Sequence, residues 1–335
     1  MKKEMLYLAL HFKKKLVLTM LSRRNIRIKV MQTIFEQQLQ FEKTSSIDAI
    51  NYFYKKLAQT SKSFTGITNL IISVSEYVLV YSNKKTSKYI TTAEDLNINT
   101  VISQHPILLT IKENPAYIQA LKDYNLSNFF TPEVIKRCFN ILLKTDAYNE
   151  YVNTIGDLNE EDAKLKHKEI LKYIYTEIVM QDEDVIEILE ENFINWEDDE
   201  ELIYTWFDYL IEKPHKMYFS YNLNSEKILF AKELIETYYN KKEQVFELIV
   251  PKLNNWDIER VAQIDTIILH LGICEILFFP HIPVKVTINE YIDIAKMYST
   301  PQSGQFVNGV LDKIHIMLFN ENKICKIDFK TKKDA

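Results

Sequence analysis

Three arginines stand within five positions near the start of the chain: Arg23, Arg24 and Arg27. Met31 and Phe35 continue the series at four-residue spacing. On a helix, Arg23 and Arg27 are neighbours one turn apart, and Arg24 lies within about 60° of Arg27. Guanidinium groups grip phosphate, and a ring beside them gives a splayed base a surface on which to stack. That combination suits single-stranded RNA. The plainer reading is a solvated basic helix start. Positive side chains at a helix N-terminus also oppose the macrodipole, so something must compensate for them.

A second cluster lies near the other end. Tyr298 and Phe306 flank the stretch "STPQSGQ" (299–305), which holds no acidic residue. Thr300 followed by Pro301 has the form of an N-cap with proline at the first helical position, where free backbone N–H groups bind phosphate. An ordinary helix–helix turn reads the same way. Just beyond, Asn308-Gly309 has the form of a hairpin turn. Yet Val307, Val310, Leu311, Ile314 and Leu318 recur at helical spacing. Glycine inside a helix costs roughly 1 kcal/mol relative to alanine. The expectation is therefore that another helix backbone comes close at Gly309.

Catalytic constellations are absent. The seven histidines form no H-E-x-x-H pair, and there is no G-x-S-x-G, P-loop or G-x-G-x-x-G. Cys138, Cys274 and Cys325 lie far apart, which gives no zinc-site spacing and fits a reducing cytoplasm. No metal or cofactor is expected, and no enzyme. His270 sits between Leu269 and Leu271 and reads as a core histidine. Glu275 is the one acid between Asp265 and Phe279; an acid in an apolar helix has the form of a base with a raised pKa, and the plainer reading is that it caps or hydrogen-bonds a neighbouring helix.

The elements that must position these residues are helices. The chain has 335 residues with 5 glycines and 8 prolines, and 47% of it is hydrophobic. Sheets with tight turns need more of both turn residues. The apolar periodicity predicts helices over 22–41, 46–60, 65–82, 114–124, 132–149, 160–181, 183–194 and 199–212, with a loop at 83–105. Lys213-Pro214-His215 is a breaker. Helices follow over 225–239, 242–253, 258–279, 285–298 and 301–319, and residues 264–279 are apolar enough to be a central buried helix. No stretch reaches the ~18 uninterrupted apolar residues of a membrane span. Residues 1–45 carry ten Lys/Arg against three Glu, whereas 150–213 carry twenty Asp/Glu against five Lys. The basic end approaches phosphate and the acidic segment does not, so that segment either faces solvent or docks a basic partner.

The stretch "IPVKVTINEYIDIAKMYSTPQSGQFVNGVLDKI" (282–314) resembles the C-terminal signature of the NusB family of bacterial antitermination factors. "NWDIERVAQIDTIILHLGICEILFF" (255–279) is similar to the same family at Trp256, Arg260, Asp265, Leu269 and Glu275. "RRNIRIKVMQTIF" (23–35) resembles its arginine-rich first helix, Gln32 and Phe35 included.

The resemblance implies an all-α, NusB-like bundle of two helical subdomains, here with a large helical insertion after the first helix. The expected layout is an extension at 1–21 (a candidate for disorder), a first helix of the RNA-binding domain at 22–45, and an insertion at 46–224. A NusB-like core at 225–320 and a tail at 321–335 complete it.

It also implies binding of boxA-like single-stranded RNA of ribosomal RNA transcripts together with the ribosomal protein NusE. The pair joins the RNA polymerase elongation complex with other Nus factors, in the cytoplasm and away from membranes. By the same resemblance Arg23, Arg24 and Arg27 are RNA contacts and Phe35 the helix's aromatic. Lys252 falls near a contact in the central helices, and Tyr298, Gln302, Gln305 and Phe306 stack on or hydrogen-bond bases.

Gln305 stands where many relatives have Lys, and Gln302 where an acid is common, so the two charge changes roughly cancel. Ser299 and Pro301 alter the loop. The competing reading is a helical protein–protein scaffold without specific RNA binding. NusB-like domains also occur fused to RNA cytosine methyltransferases, but Gly66 and Gly156 are the only glycines before the core, too few for a cofactor loop.

Overall fold

With glycine and proline so scarce, the chain forms helices wherever apolar residues recur, and no strand occurs among the described residues. The structure is a computed structural model that describes residues 21–40, 44–87, 89, 92, 96–220, 225–253 and 261–327. Residues 1–20 of the expected extension (1–21), Trp256, Arg260 and the tail beyond 327 lie outside these residues. In chain order α1 is Arg23–Gln40, α2 Ser46–Thr86, α3 Pro106–Glu113, α4 Pro115–Asp123, α5 Pro132–Leu142, α6 Asp146–Thr154 and α7 Glu160–Tyr173. Then come α8 Glu183–Asn192, α9 Trp196–Glu212, α10 Glu226–Asn240, α11 Lys242–Ile249, α12 Gln263–Phe278, α13 Val284–Tyr298 and α14 Ser303–Asn320. The chain divides into two units, 1–56 with 222–335 and 57–221.

The second unit, 57–221, is built on α2. The sequence predicts two helices at 46–60 and 65–82, but α2 is continuous. Its hydroxyls satisfy themselves locally: Thr65 donates to the Ser61 carbonyl (2.7 Å), Thr68 to Phe64 (2.8 Å) and Ser75 to Ile71 (2.9 Å). Buried Ser and Thr therefore interrupt nothing. Phe64 stacks on Phe219 at 5.3 Å and meets Trp206 edge-on at 5.5 Å. Among the described residues α2 is the one helix long and apolar enough to cross a membrane, and 67% of that window is buried inside the protein. The single helix expected at 132–149 is two, because Thr145 caps α6 by accepting from the Tyr148 N–H (3.3 Å). After α7 the chain widens into a π-helical turn over Ile174–Val179.

The first unit wraps α12. From Ile267 to Ile276 every residue of α12 is buried, as the apolar run requires. Helices α1, α10, α11, α13 and α14 pack around it. The close approach predicted at Gly309 is not there: a Cβ on Gly309 would meet nothing within 4 Å. Tight packing is found at Gly272 instead, against side chains: a Cβ there would stand 3.1 Å from Leu311 Cδ2 and 3.4 Å from Tyr291 Cδ2. Helix α14 also begins later than Thr300-Pro301 suggests. It starts at Ser303, with no side-chain cap at Gln302. Lys326 closes the other end of α12, donating from Nζ to the Glu275 and Phe279 carbonyls at 2.9 Å each.

Candidate nucleic-acid interface

The basic helix α1 lies along α10 and α12. Near its C-terminus Gln38 donates to the Tyr238 hydroxyl (2.8 Å) and accepts from Gln263 (3.1 Å). At its N-terminus each of the three arginines meets carboxylates from another helix. Arg23 pairs with Glu226 at 2.6 Å. Arg24 donates from Nε and Nη2 to Glu290 (2.9 and 3.1 Å) and from Nη2 to Asp293 (2.9 Å). Arg27 donates from Nε and Nη2 to Glu275 (2.8 and 2.7 Å). These acids from α10, α12 and α13 are the compensation that cations at a helix start require.

Exposure separates the arginines. The Arg23 and Arg24 side chains are 41% and 42% exposed, whereas Arg27 is 2% exposed against a fully buried Glu275. Glu275 also accepts from the Thr287 hydroxyl at 2.7 Å. Burial pulls the Arg27 pKa down, but the bonds to Glu275 and its charge outweigh this and the net shift is upward. For Arg24, hydrogen bonding to Glu290 holds the pKa above its ordinary value. Phe230 lies beneath the cluster, 5.7 Å from Arg23 and 5.5 Å from Arg27.

The loop cluster sits at the other end of α12. Ser303 Oγ donates to the buried Asp265 (2.6 Å), fixing the start of α14 to the start of α12. Asp265 and Glu275 are ten residues apart, about 15 Å of helix. The structure thus brings together Arg23 and Arg24 at one end and Tyr298, Gln302 and Gln305 at the other. Gln302 and Gln305 are exposed and Tyr298 is half-buried. Phe35, half-buried, lies on α1 toward the loop end, since Gln38 reaches Gln263. Lys252, half-buried, occupies the short turn after α11.

Two placements need correcting. Arg27 is sealed in the core by Glu275, and Phe306 is 8% exposed, packed with the Val307–Val310 face. Neither presents its side chain at the surface. The residues that sequence reasoning missed are the guards: Glu226, Glu290 and Asp293. The need to compensate the arginines, together with Glu290 and Asp293 at one-turn spacing in "NEYID", was the available signal. Lys296 was missed too. It stands 3.7 Å from Asp293, and its stem lies where a Cβ on Gly304 would be, the Cγ 2.8 Å away.

The NusB family model matches residues 183–315, from α8 into α14. The transcription antitermination protein NusB of Salinibacter ruber is 41% identical over 97 residues, 29% of this chain and 61% of that relative. That of Methylacidiphilum infernorum is 46% identical over 87 residues, 25% of this chain and 61% of the relative. That of Desulfitobacterium hafniense is 41% identical over 100 residues, 30% of this chain and 68% of the relative. The chain therefore spans less than two thirds of the first two relatives. No solved structure matches the chain. The family match does not reach α1, which is joined to α12 by the Arg27–Glu275 pair and the Gln38–Gln263 bond and to α13 by the Arg24 pairs.

Proposed function

The chain belongs to the NusB family, and from that premise we propose that it is a non-enzymatic, RNA-binding transcription antitermination factor. It binds boxA-type single-stranded RNA of ribosomal RNA transcripts with the ribosomal protein NusE, and joins the RNA polymerase elongation complex with other Nus factors in the cytoplasm. Support comes above all from one observation. The buried Arg27–Glu275 pair fixes the basic helix on the family-matched core, so that Arg23 and Arg24 stand at the surface in a defined place. Their carboxylate pairs are half-exposed, and pairs of that kind contribute only ~0–1 kcal/mol. A phosphate can exchange for them at small cost. Gln302, Gln305 and Tyr298 supply neutral hydrogen-bonding groups and a ring at the far end of α12, with Phe35 toward them and Lys252 as a further cation. Arg27 and Phe306 serve by positioning.

A gel-shift titration with a boxA-type strand and a scrambled strand of equal length tests the reading. Preference for the boxA-type strand, increased by NusE and weakened by salt, is the expected result; equal binding of the two strands contradicts it. One observation favours the scaffold reading instead: Arg23, Arg24 and Arg27 all have carboxylate partners already. On that reading the two strands bind equally or not at all.

A further inference from the structure

Arg24 is held by two acids of α13 that differ in how they hold it. Glu290 takes both Nε and Nη2, is 21% exposed, and also lies 3.7 Å from Arg27. It orients the guanidinium plane from the protein side. Asp293 takes Nη2 alone through Oδ2 and is 43% exposed. Its other oxygen, Oδ1, stands 3.7 Å from Lys296 Nζ one turn further along the same helix. Lys296 in turn lays its stem against Gly304, at the start of α14, in a space that any larger residue there would contest.

Resting on the RNA-binding reading above, we propose that Asp293 is a competing ligand for Arg24. A phosphate of a bound strand reaches Nη2 only by displacing the Asp293 carboxylate, which then has Lys296 as its partner. Glu290 stays in place and is a positioning residue. Two acids one turn apart thus have opposite effects on the same arginine. The exchange also has a salt signature. A phosphate that finds Arg24 already paired gains less than one that finds it open, so the intact protein shows a weaker dependence on salt than its count of surface arginines implies.

The test compares the full chain with Asp293→Asn and Glu290→Gln in fluorescence-anisotropy titrations. Each is run with a boxA-type strand and a scrambled strand at several KCl concentrations. Asp293→Asn is expected to bind both strands about two- to fivefold tighter, with a log–log salt slope steeper by about 0.7. Glu290→Gln is expected to weaken binding about tenfold, because the guanidinium fork loses its orientation. Unchanged or weaker binding by Asp293→Asn overturns the proposal, as does failure of that variant to bind either strand. Equal binding of the two strands by the parent chain sinks the boxA reading instead. The ratio of Asp293→Asn to parent on the scrambled strand still decides the role of Asp293.

Discussion

Arg27 and Glu275 form the bidentate pair that joins the basic helix to the core, at 2.8 and 2.7 Å with both side chains closed to solvent. Removing one member leaves a buried charge uncompensated, which costs about 3–5 kcal/mol. Glu275→Gln and Arg27→Met should each lower stability by that amount in urea unfolding followed by circular dichroism. The double substitution Arg27→Met with Glu275→Leu should recover most of the loss. Single variants as stable as the parent would show that the pair contributes nothing.

Glycine positions divide sharply. Gly272→Ala puts a methyl 3.1 Å from Leu311 in the centre of the unit; overpacking of about 1–3 kcal/mol works against a helix-propensity gain of about 1 kcal/mol, for a net loss of up to about 2 kcal/mol. Gly309→Ala enters open space on α14 and should stabilise by up to about 1 kcal/mol through helix propensity. Thermal unfolding of the two variants should move in opposite directions.

Acid should weaken both units. Burial pushes the His270 pKa down to about 4, and Lys242 adds to the effect. Burial likewise pushes His105 down to about 3, with His167 adding to it. Each ring stays neutral in the fold while the unfolded chain takes up a proton below about 6.5. Stability is therefore full above that pH and falls as the pH drops toward the folded values. By pH 5 the loss is about 2 kcal/mol per histidine. His270→Asn and His105→Asn should flatten the slope between pH 7 and 5 in their own units; a parent chain equally stable at both pH values contradicts the assignment.

The all-helical class was legible because so few glycines and prolines leave little else to build, and α12 because its apolar run has no polar face. Other features depended on partners distant in sequence. Periodicity puts Arg24 and Arg27 on nearly the same side of α1, and only the position of Glu275 on α12 decides which one is buried. Glu275 stood out as the lone acid of that run, so the partner was visible although the pairing was not. Phe306 precedes Val310 by one turn and shares its buried stripe, so its core placement could have been read from the same spacing that identified α14. The continuity of α2 was obscured because Ser and Thr suggest interruption, while their hydroxyls bond back to the helix. Gly309 failed for a simpler reason: composition says that a Cβ is missing but not whether anything fills the space.

Charge reversal at Arg24 tests most directly the claim that the exposed arginines of α1 bind RNA. The measurement is fluorescence anisotropy of a labelled boxA-type strand titrated with the full chain and with Arg24→Glu, alongside melting curves of both proteins. The predicted result is low-micromolar or tighter binding by the parent (roughly −8 kcal/mol) and loss of about a hundredfold or more in the variant, with melting little changed. A variant that melts like the parent and binds the strand equally well would contradict it.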